Sequence, residues 1–256
     1  MIYDLLYAYR DHLLKTYQPA TARTYYKRLC TLFEGQSLSM TSGLDIEKVL
    51  LNLGQIKYKN YFSQAKNAFL HFCEFQDIAL SPALMERISK LEKGARKKYR
   101  KLKPIHYSEI DRKIKHIRNK KLKLCYQVIV ATGLRVSELA GITPNDCITA
   151  SDEITFTFIG KGGKKESAVL KAIEYPRLYQ SLKELIESTF GEKKLFYSVP
   201  YLQKKAKELG FKCHDLRRVY AKLEYKKSGS REEVMKKLRH SSPKTTNIYL
   251  KSKVKI

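Results

Sequence analysis

The sequence predicts a mainly α-helical protein with a small antiparallel β-sheet, divided into two parts by a strongly basic segment. Apolar residues recur at helical spacing through most of the chain. The stretch from Ile154 to Phe158 instead alternates with a period of two, as a strand does. With 256 residues, of which 43% are hydrophobic, the chain can bury a core in each part.

The first ninety residues predict a bundle of four or five short helices. Helical patterns are expected over residues 2–13, 21–33, 44–53 and 58–72. Pro19 separates the first two patterns, and Thr21 is expected to cap the second helix. Gly35 to Gly43 is rich in serine, glycine and threonine and predicts a loop.

A basic segment follows the bundle. Between Lys93 and Lys123 there are fourteen basic residues and only two acidic ones. Its first part lacks apolar periodicity and ends at Pro104, which predicts an interdomain linker over 93–104 between domains at 1–92 and 105–256. A linker needs no such charge, so we expect it to follow a phosphate backbone. The expected contacts are Arg96, Lys97, Lys98, Arg100, Lys101 and Lys103.

The last 150 residues predict a helical domain with one hairpin. An apolar helix is expected over 122–134, and the strand 154–158 is expected to pair with 167–170 through a Gly-Lys-Gly-Gly-Lys turn. Gly162 and Gly163 supply the positive φ of a tight turn. Helical patterns resume from Pro176.

Charge and composition limit the partners. The net charge of +26 favours a polyanion, with nucleic acid first and an anionic membrane surface second. No stretch approaches the roughly 20 apolar residues of a membrane span, and the N-terminus does not resemble a signal peptide. The five cysteines form no C-x-x-C pair, so we expect free thiols in a reducing cytoplasm and no zinc module.

Two arginines are candidates for holding a phosphodiester. Phosphoryl transfer concentrates negative charge on the non-bridging oxygens, and the planar guanidinium binds two of them while staying charged. Arg135 follows a Thr-Gly pair at an expected helix start, and Glu138 could orient it. His214 precedes Arg217 by one helical turn, so the two are expected on one face. Taken singly, each arginine could equally be an ion-paired surface residue, and the histidine a core residue.

The other candidates are a hairpin lysine, a second histidine and a late tyrosine. Lys161 lies in the turn, and His240 precedes a Ser-Ser-Pro helix cap, so each has an ordinary structural alternative. Tyr249 is one of eighteen tyrosines. A phenol with a pKa of about 10 becomes a nucleophile only where cations favour its phenolate. The competing residues nearby are Lys164, Lys165, Tyr220 and Tyr225.

Together these residues resemble the tyrosine recombinase (phage integrase, Xer-like) family. The family pattern has an arginine in a Thr-Gly-Leu-Arg-x-Ser-Glu-Leu box, a lysine in a Gly-Lys-Gly hairpin, His-x-x-Arg, Leu-Gly-His, and a tyrosine nine residues later. The matching positions, in order, are Arg135, Lys161, His214, Arg217, His240 and Tyr249. The N-terminal half resembles the family's helical core-binding (SAM-like) domain more loosely.

The resemblance implies a role for each position. Tyr249 would attack the scissile phosphate and leave a 3′-phosphotyrosine. Arg135, Arg217 and His240 would hold the phosphoryl oxygens, and Lys161 would protonate the leaving 5′-oxygen. His214 would assist proton transfer at the tyrosine, with Glu138 in a supporting role. The chemistry implied needs no metal, ATP or other cofactor.

The resemblance also implies a site-specific recombinase that clamps double-stranded DNA between two domains in a C shape. The free protein would be a monomer or dimer, and a homotetramer would act on two DNA sites. The resemblance also allows for an accessory protein. The resemblance is compatible with DNA integration, excision or resolution. It is also compatible with a protein of a mobile element and with one that acts at the nucleoid in the cytoplasm. Two departures stand out: Arg239 replaces the glycine before the second histidine, and only seven residues follow Tyr249. We also expect no arm-binding domain, which would favour simple recombination sites with short inverted half-sites.

Three other functions fit parts of the sequence. A DNA-binding protein without catalysis would explain the charge but not the complete set of six residues. A type IB topoisomerase-like enzyme would use the same tyrosine chemistry without bringing two sites together. A metal-dependent nuclease would cleave without a covalent intermediate and would be inhibited by EDTA.

Overall fold

The computed structural model describes residues 2–34, 45–94, 104–160 and 163–256. These residues form two compact units, one within Met1–Lys101 and one within Leu102–Ile256. The first is helical, and the second combines helices with a small antiparallel sheet. The predicted fold class, mainly α with a small antiparallel sheet, is therefore confirmed.

The described part of the first unit consists of five helices. They are α1 (Ile2–Thr16), α2 (Pro19–Leu32), α3 (Ile46–Gly54), α4 (Lys59–Phe75) and α5 (Pro82–Gly94). Their apolar faces meet in one core, in which Leu13, Leu29, Phe62 and Phe69 are fully buried. The helical spacing in the sequence therefore does correspond to buried helix faces.

Three expectations for this unit need comment. The predicted cap at Thr21 is wrong, because α2 already begins at Pro19 after an N-cap at Gln18. Proline is favoured at the first helical position, where its missing N–H has no helical acceptor. The expected loop from Gly35 to Gly43 and most of the expected linker lie outside the described residues, although α5 extends to Gly94 and so includes the first two linker positions.

The second unit contains eight α-helices within its described residues. They are α6 (Tyr107–Lys115), α7 (Lys120–Thr132), α8 (Val136–Gly141), α9 (Pro176–Glu187), α10 (Val199–Glu208), α11 (Cys213–Ser228), α12 (Arg231–Lys237) and α13 (Pro243–Leu250). The core is built around α7, whose Cys125, Tyr126 and Ile129 have no exposed surface. The start of α8 was expected at Arg135, which is its N-cap, whereas α6 was not delimited by the sequence patterns.

A three-stranded antiparallel sheet packs beside these helices. Its strands are β2 (Cys147–Thr149), β3 (Glu153–Ile159) and β4 (Lys165–Lys171), in that spatial order. β3 and β4 form the predicted hairpin, with Ile159 opposite Lys165. Gly163 has φ of 77°, as predicted for the turn, whereas Lys161 and Gly162 lie outside the described residues.

A second, two-stranded sheet joins the ends of this unit. β1 (Ile105–His106) pairs in parallel with β5 (Val254–Lys255), and the amide of Ile105 donates to the carbonyl of Lys253 at 2.8 Å. The last residues of the chain are therefore paired with the first strand of the same unit. In the part of the chain that is described, no helix has the length and apolar character needed to cross a bilayer.

Candidate active site

The turn between α7 and α8 brings the first candidate arginine into the site. Gly133 ends α7 in the left-handed region, with φ of 64°, which glycine adopts without steric cost. A Cβ atom there would also clash with the ring of Tyr220. Both constraints require glycine, and the tight turn that results places Arg135 at the N-cap of α8.

Glu138 orients Arg135 from the first turn of α8. Its Oε2 accepts the backbone N–H of Arg135 at 2.8 Å, and its Oε1 accepts from the guanidinium. Burial acts to raise the pKa of Glu138, but the bonds from Arg135 and the charge of Arg239 outweigh it and the net shift is downward. The carboxylate is therefore ionised and fixes an arginine whose side chain keeps 26% of its surface exposed.

Arg217 lies at the centre of the cluster, with 1% of its surface exposed. Its two terminal nitrogens donate to the carbonyls of Gly133 and Leu238, so it joins the end of α7 to the end of α12. Its Nη1 is also 4.0 Å from Oε2 of Glu138. Burial, followed by repulsion from Arg135 and Arg239, lowers the pKa of Arg217 to about 10, which still leaves it charged at neutral pH.

Tyr249 projects from α13 between two histidines. Its hydroxyl is 2.6 Å from Nε2 of His214, and its ring packs edge-on to both imidazoles, with centroid distances of 5.5 Å to His214 and 5.0 Å to His240. His240 is held in turn by Thr246, whose Oγ1 lies 2.9 Å from its Nδ1. Only 7% of Tyr249 is exposed, whereas His214 reaches solvent.

The cations of the cluster act on these three side chains. Burial raises the pKa of Tyr249, while Arg217 and Arg135 oppose the rise. Partial desolvation, together with Arg217, lowers the pKa of His214. Burial and the same arginines lower the pKa of His240 to about 4. Both imidazoles are thus neutral near pH 7, and a neutral His214 can accept a proton from the phenol that it contacts.

Arg239 adopts the backbone conformation that a glycine would have in its place. It follows the C-cap of α12 with φ of 54°, its amide donates to Lys236 at 2.9 Å, and the next amide, of His240, donates to Met235 at 3.1 Å. This is the Schellman pattern, in which a non-glycine residue costs about 1–2 kcal/mol. The guanidinium of Arg239 lies 3.3 Å from Oε2 of Glu138.

The structure therefore brings together most of the residues identified in the sequence, namely Arg135, Glu138, His214, Arg217, His240 and Tyr249. Lys161 and the expected linker contacts lie outside the described residues. Of the rival tyrosines, Tyr220 packs on Gly133 and Tyr225 is exposed. Among the described residues, no cluster of three or more histidines, cysteines or carboxylates could hold a metal ion.

From the sequence, Arg239 was a departure from the family pattern that adds positive charge near the phosphate, and it was not among the candidate site residues. Because Leu-Arg-His ends a helix, the positive φ at this position could have been inferred from helix-capping rules. Its bond to Glu138, which lies 101 positions earlier, depends on tertiary structure.

Comparison with known protein families identifies the fold. The model of the phage integrase family matches residues 103–255, which is more than half of the chain. The chain belongs to the phage integrase family. Members of this family are tyrosine recombinases, and the matched region contains every residue of the cluster. A search of curated protein sequences finds no match.

Solved structures of phage integrase family members share the fold. A lambda integrase tetramer bound to a Holliday junction has a TM-score of 0.66 at 14% identity, covering 97% of this chain and 76% of that one. XerH recombinase in a post-cleavage complex with a palindromic difH substrate has a TM-score of 0.62 at 18% identity, covering 90% and 76%. Tn1549 transposon integrase with circular intermediate DNA has a TM-score of 0.60 at 15% identity, covering 96% and 94%.

Proposed function

We propose that this protein is a site-specific DNA recombinase that cleaves and rejoins strands through a 3′-phosphotyrosine, with Tyr249 as the nucleophile. The observation that carries the proposal is the hydroxyl of Tyr249, 2.6 Å from the imidazole of His214 beside the charge of Arg217. Membership of the tyrosine recombinase family supports strand exchange as the reaction class. The bound DNA in the XerH and Tn1549 structures supports DNA as the substrate.

In the proposed step, the bond from Tyr249 Oη to phosphorus forms as the bond from phosphorus to the 5′-oxygen breaks. The phenolic proton passes to Nε2 of His214, which is already within hydrogen-bond distance. Lys161 gives a proton to the leaving 5′-oxygen. The negative charge on the phosphoryl oxygens is stabilised by Arg135, Arg217 and His240. Rejoining reverses these transfers, so the phosphotyrosine conserves the bond energy and neither ATP nor a metal is needed.

The exposed members of the cluster indicate how DNA would approach. Arg217 and Tyr249 are almost fully buried, whereas Arg135 and His214 reach solvent. His214 is also in the first turn of α11, a 16-residue helix whose N-terminus attracts anions. We infer that the scissile phosphate enters beside Arg135 and His214 and makes its contacts with Arg217 and His240 last.

We propose further that the protein binds duplex DNA through both a core-binding domain at 1–92 and a catalytic domain at 105–256, with the linker at 93–104 following the DNA backbone. The lambda integrase tetramer supports a homotetramer on two sites. An accessory protein is compatible with this assembly, and a DNA substrate would place the protein at the nucleoid, in the cytoplasm.

The direct test of the reaction is a nicked suicide duplex, drawn from DNA flanking the gene, incubated with the protein and EDTA. The expected result is a covalent protein–DNA product linked through a 3′-phosphate, followed by strand exchange when two intact sites are supplied. Cleavage that requires a metal and leaves no covalent product would refute the proposal. Adduct and relaxation without exchange between two sites would indicate a topoisomerase-like enzyme.

The basic linker makes a separate prediction. If the clamp neutralises about 8 phosphates, log Kd changes with log salt concentration with a slope of magnitude about 7. Replacing Lys97 and Lys98 by glutamine should reduce that magnitude by about 1.8, because two phosphate contacts are lost. The control, Lys193→Gln with Lys204→Gln, removes the same charge from two exposed positions. Equal slopes for the linker and control variants would rule out direct contacts by this part of the linker.

A further inference from the structure

Arg239 connects the arginine cluster to the β-hairpin. On the cluster side, its Nη2 contacts Oε2 of Glu138 at 3.3 Å and donates to the carbonyl of Gly133, also at 3.3 Å. These are the carboxylate that fixes Arg135 and the carbonyl that accepts from Arg217. Arg239 therefore shares its acceptors with both arginines proposed to hold the phosphate.

On the hairpin side, Arg239 contacts both strands. Its guanidinium lies 5.1 Å from the ring centroid of Phe158 on β3, and its Nη1 reaches the carbonyl of Ser167 on β4 at 3.5 Å. Its Nε is 3.6 Å from Oε2 of Glu166. With 10% of the side chain exposed, the guanidinium is enclosed between the hairpin and α8.

Glu166 extends this connection to the turn. A Cβ atom added to Gly160 would clash with Oε2 of Glu166, so the carboxylate packs directly on the backbone where the turn begins. The amide of Gly160 also closes the turn by donating to Lys164 at 2.7 Å. A continuous series of contacts thus runs from Glu138 through Arg239 and Glu166 to Gly160.

We propose that Arg239 is a positioning residue that holds the base of the β3–β4 hairpin against Glu138, and so fixes the hairpin turn relative to the phosphate-binding arginines. The residue adopts a left-handed conformation that favours glycine, yet its guanidinium has five polar or ionic partners, namely Glu138, Glu166 and the carbonyls of Gly133, Ser167 and Lys237. The inference rests on the proposed function, because the turn matters only if it supplies the proton for the leaving 5′-oxygen.

The experiment compares two nicked duplexes, one with the normal 5′-oxygen at the scissile position and one with sulfur in its place. A thiol has a pKa of about 8.5, so a thiolate leaves without being protonated and cleavage no longer depends on the turn. Arg239→Gly should form covalent adduct about 100-fold more slowly than wild type on the oxygen substrate, since small misplacements of catalytic groups have effects of this size. On the sulfur substrate its rate should fall by less than about 3-fold.

Two further variants separate positioning from folding. Glu166→Gln keeps the shape of the side chain and should show the same substrate dependence, with about a 10-fold loss on oxygen. Combined with Arg239→Gly it should cause no further loss, because both changes interrupt one series of contacts. A folding defect would slow both substrates equally.

Equal slowing on the two substrates, or no slowing on either, would overturn the positioning role of Arg239. The proposed function fails in a different way, since wild-type protein would then form no adduct with either duplex. Lys161→Ala serves as the reference, because loss of the proton donor itself should give the largest difference between oxygen and sulfur.

Discussion

The two units each contain a buried tyrosine whose hydroxyl lies close to a histidine nitrogen. In the first unit, Tyr9 is 3.0 Å from Nδ1 of His71 and 3.2 Å from the carbonyl of Ala68. In the second, Tyr249 is 2.6 Å from Nε2 of His214. Judged by this contact alone, both tyrosines could be called activated.

Their charged surroundings are opposite. Burial raises the pKa of Tyr9, and the neighbouring Tyr17 and Tyr25 raise it further, with no cation among the described residues that shift it. Burial also raises the pKa of Tyr249, but Arg217, Arg135 and Arg218 all act to lower it. A histidine contact positions a phenol, whereas nearby guanidinium groups stabilise the phenolate that must attack.

The largest expected effect comes from removing each hydroxyl. Tyr249→Phe should bind DNA but give no detectable covalent adduct, because the attacking oxygen is gone. Tyr9→Phe should retain adduct formation and lose about 1 kcal/mol of unfolding free energy, because one buried hydrogen bond is lost. A denaturing gel and a urea titration measure these two quantities. Normal cleavage by Tyr249→Phe would exclude it as the nucleophile.

The next effect concerns the arginines that distinguish the two units. Arg135→Gln should slow single-turnover adduct formation by about 10²–10³-fold, the usual effect of losing one donor to a developing anion. The control is Arg10→Gln, which removes an exposed, ion-paired arginine from the first unit and should change the rate less than about 2-fold. Equal rates of adduct formation in the two variants would contradict a special role for the arginine cluster.

A smaller effect is expected for the histidines. His214→Gln should reduce the rate of adduct formation about 100-fold, the lower range for loss of proton transfer. His71→Gln, at the matched position in the first unit, should leave that rate unchanged. The rate of adduct formation by each variant is measured by quenched-flow or manual sampling. A rate deficit in His71→Gln equal to that in His214→Gln would mean that both changes act through folding.

The smallest effect is on stability and follows from His240. Its pKa is about 4 in the folded protein and about 6.5 when unfolded, so below pH 6.5 the unfolded state takes up a proton that the folded state does not. The contribution of neutral His240 to the unfolding free energy is fully present above pH 6.5. It decreases by about 3 kcal/mol as the pH falls toward 4. The difference in unfolding free energy between wild type and His240→Gln should shrink by that amount. A constant difference across this pH range would contradict the shift.

Much of the fold and of the candidate active site could be predicted from local sequence rules. Helical and strand periodicity identified the hairpin and the main helix faces, since burial imposes those periods directly. The candidate residues at Arg135, His214, Arg217, His240 and Tyr249 lie together as their order in the sequence suggested.

The features that were missed depend on contacts between distant positions. The β1–β5 pair joins two-residue strands about 150 positions apart, too short to carry a periodic signal. Arg239 was recognised as an exception, but its contacts with Glu138 and Ser167, which lie 101 and 72 positions earlier, depend on tertiary structure.

The most direct test of the central claim is to identify the residue that becomes attached to DNA. Wild-type protein is trapped on a nicked duplex in EDTA, digested, and the cross-linked peptide is sequenced by mass spectrometry. The arginine cluster predicts a single adduct, on Tyr249. Attachment to Tyr220, Tyr225 or Tyr9 instead would show that the cluster does not select the nucleophile.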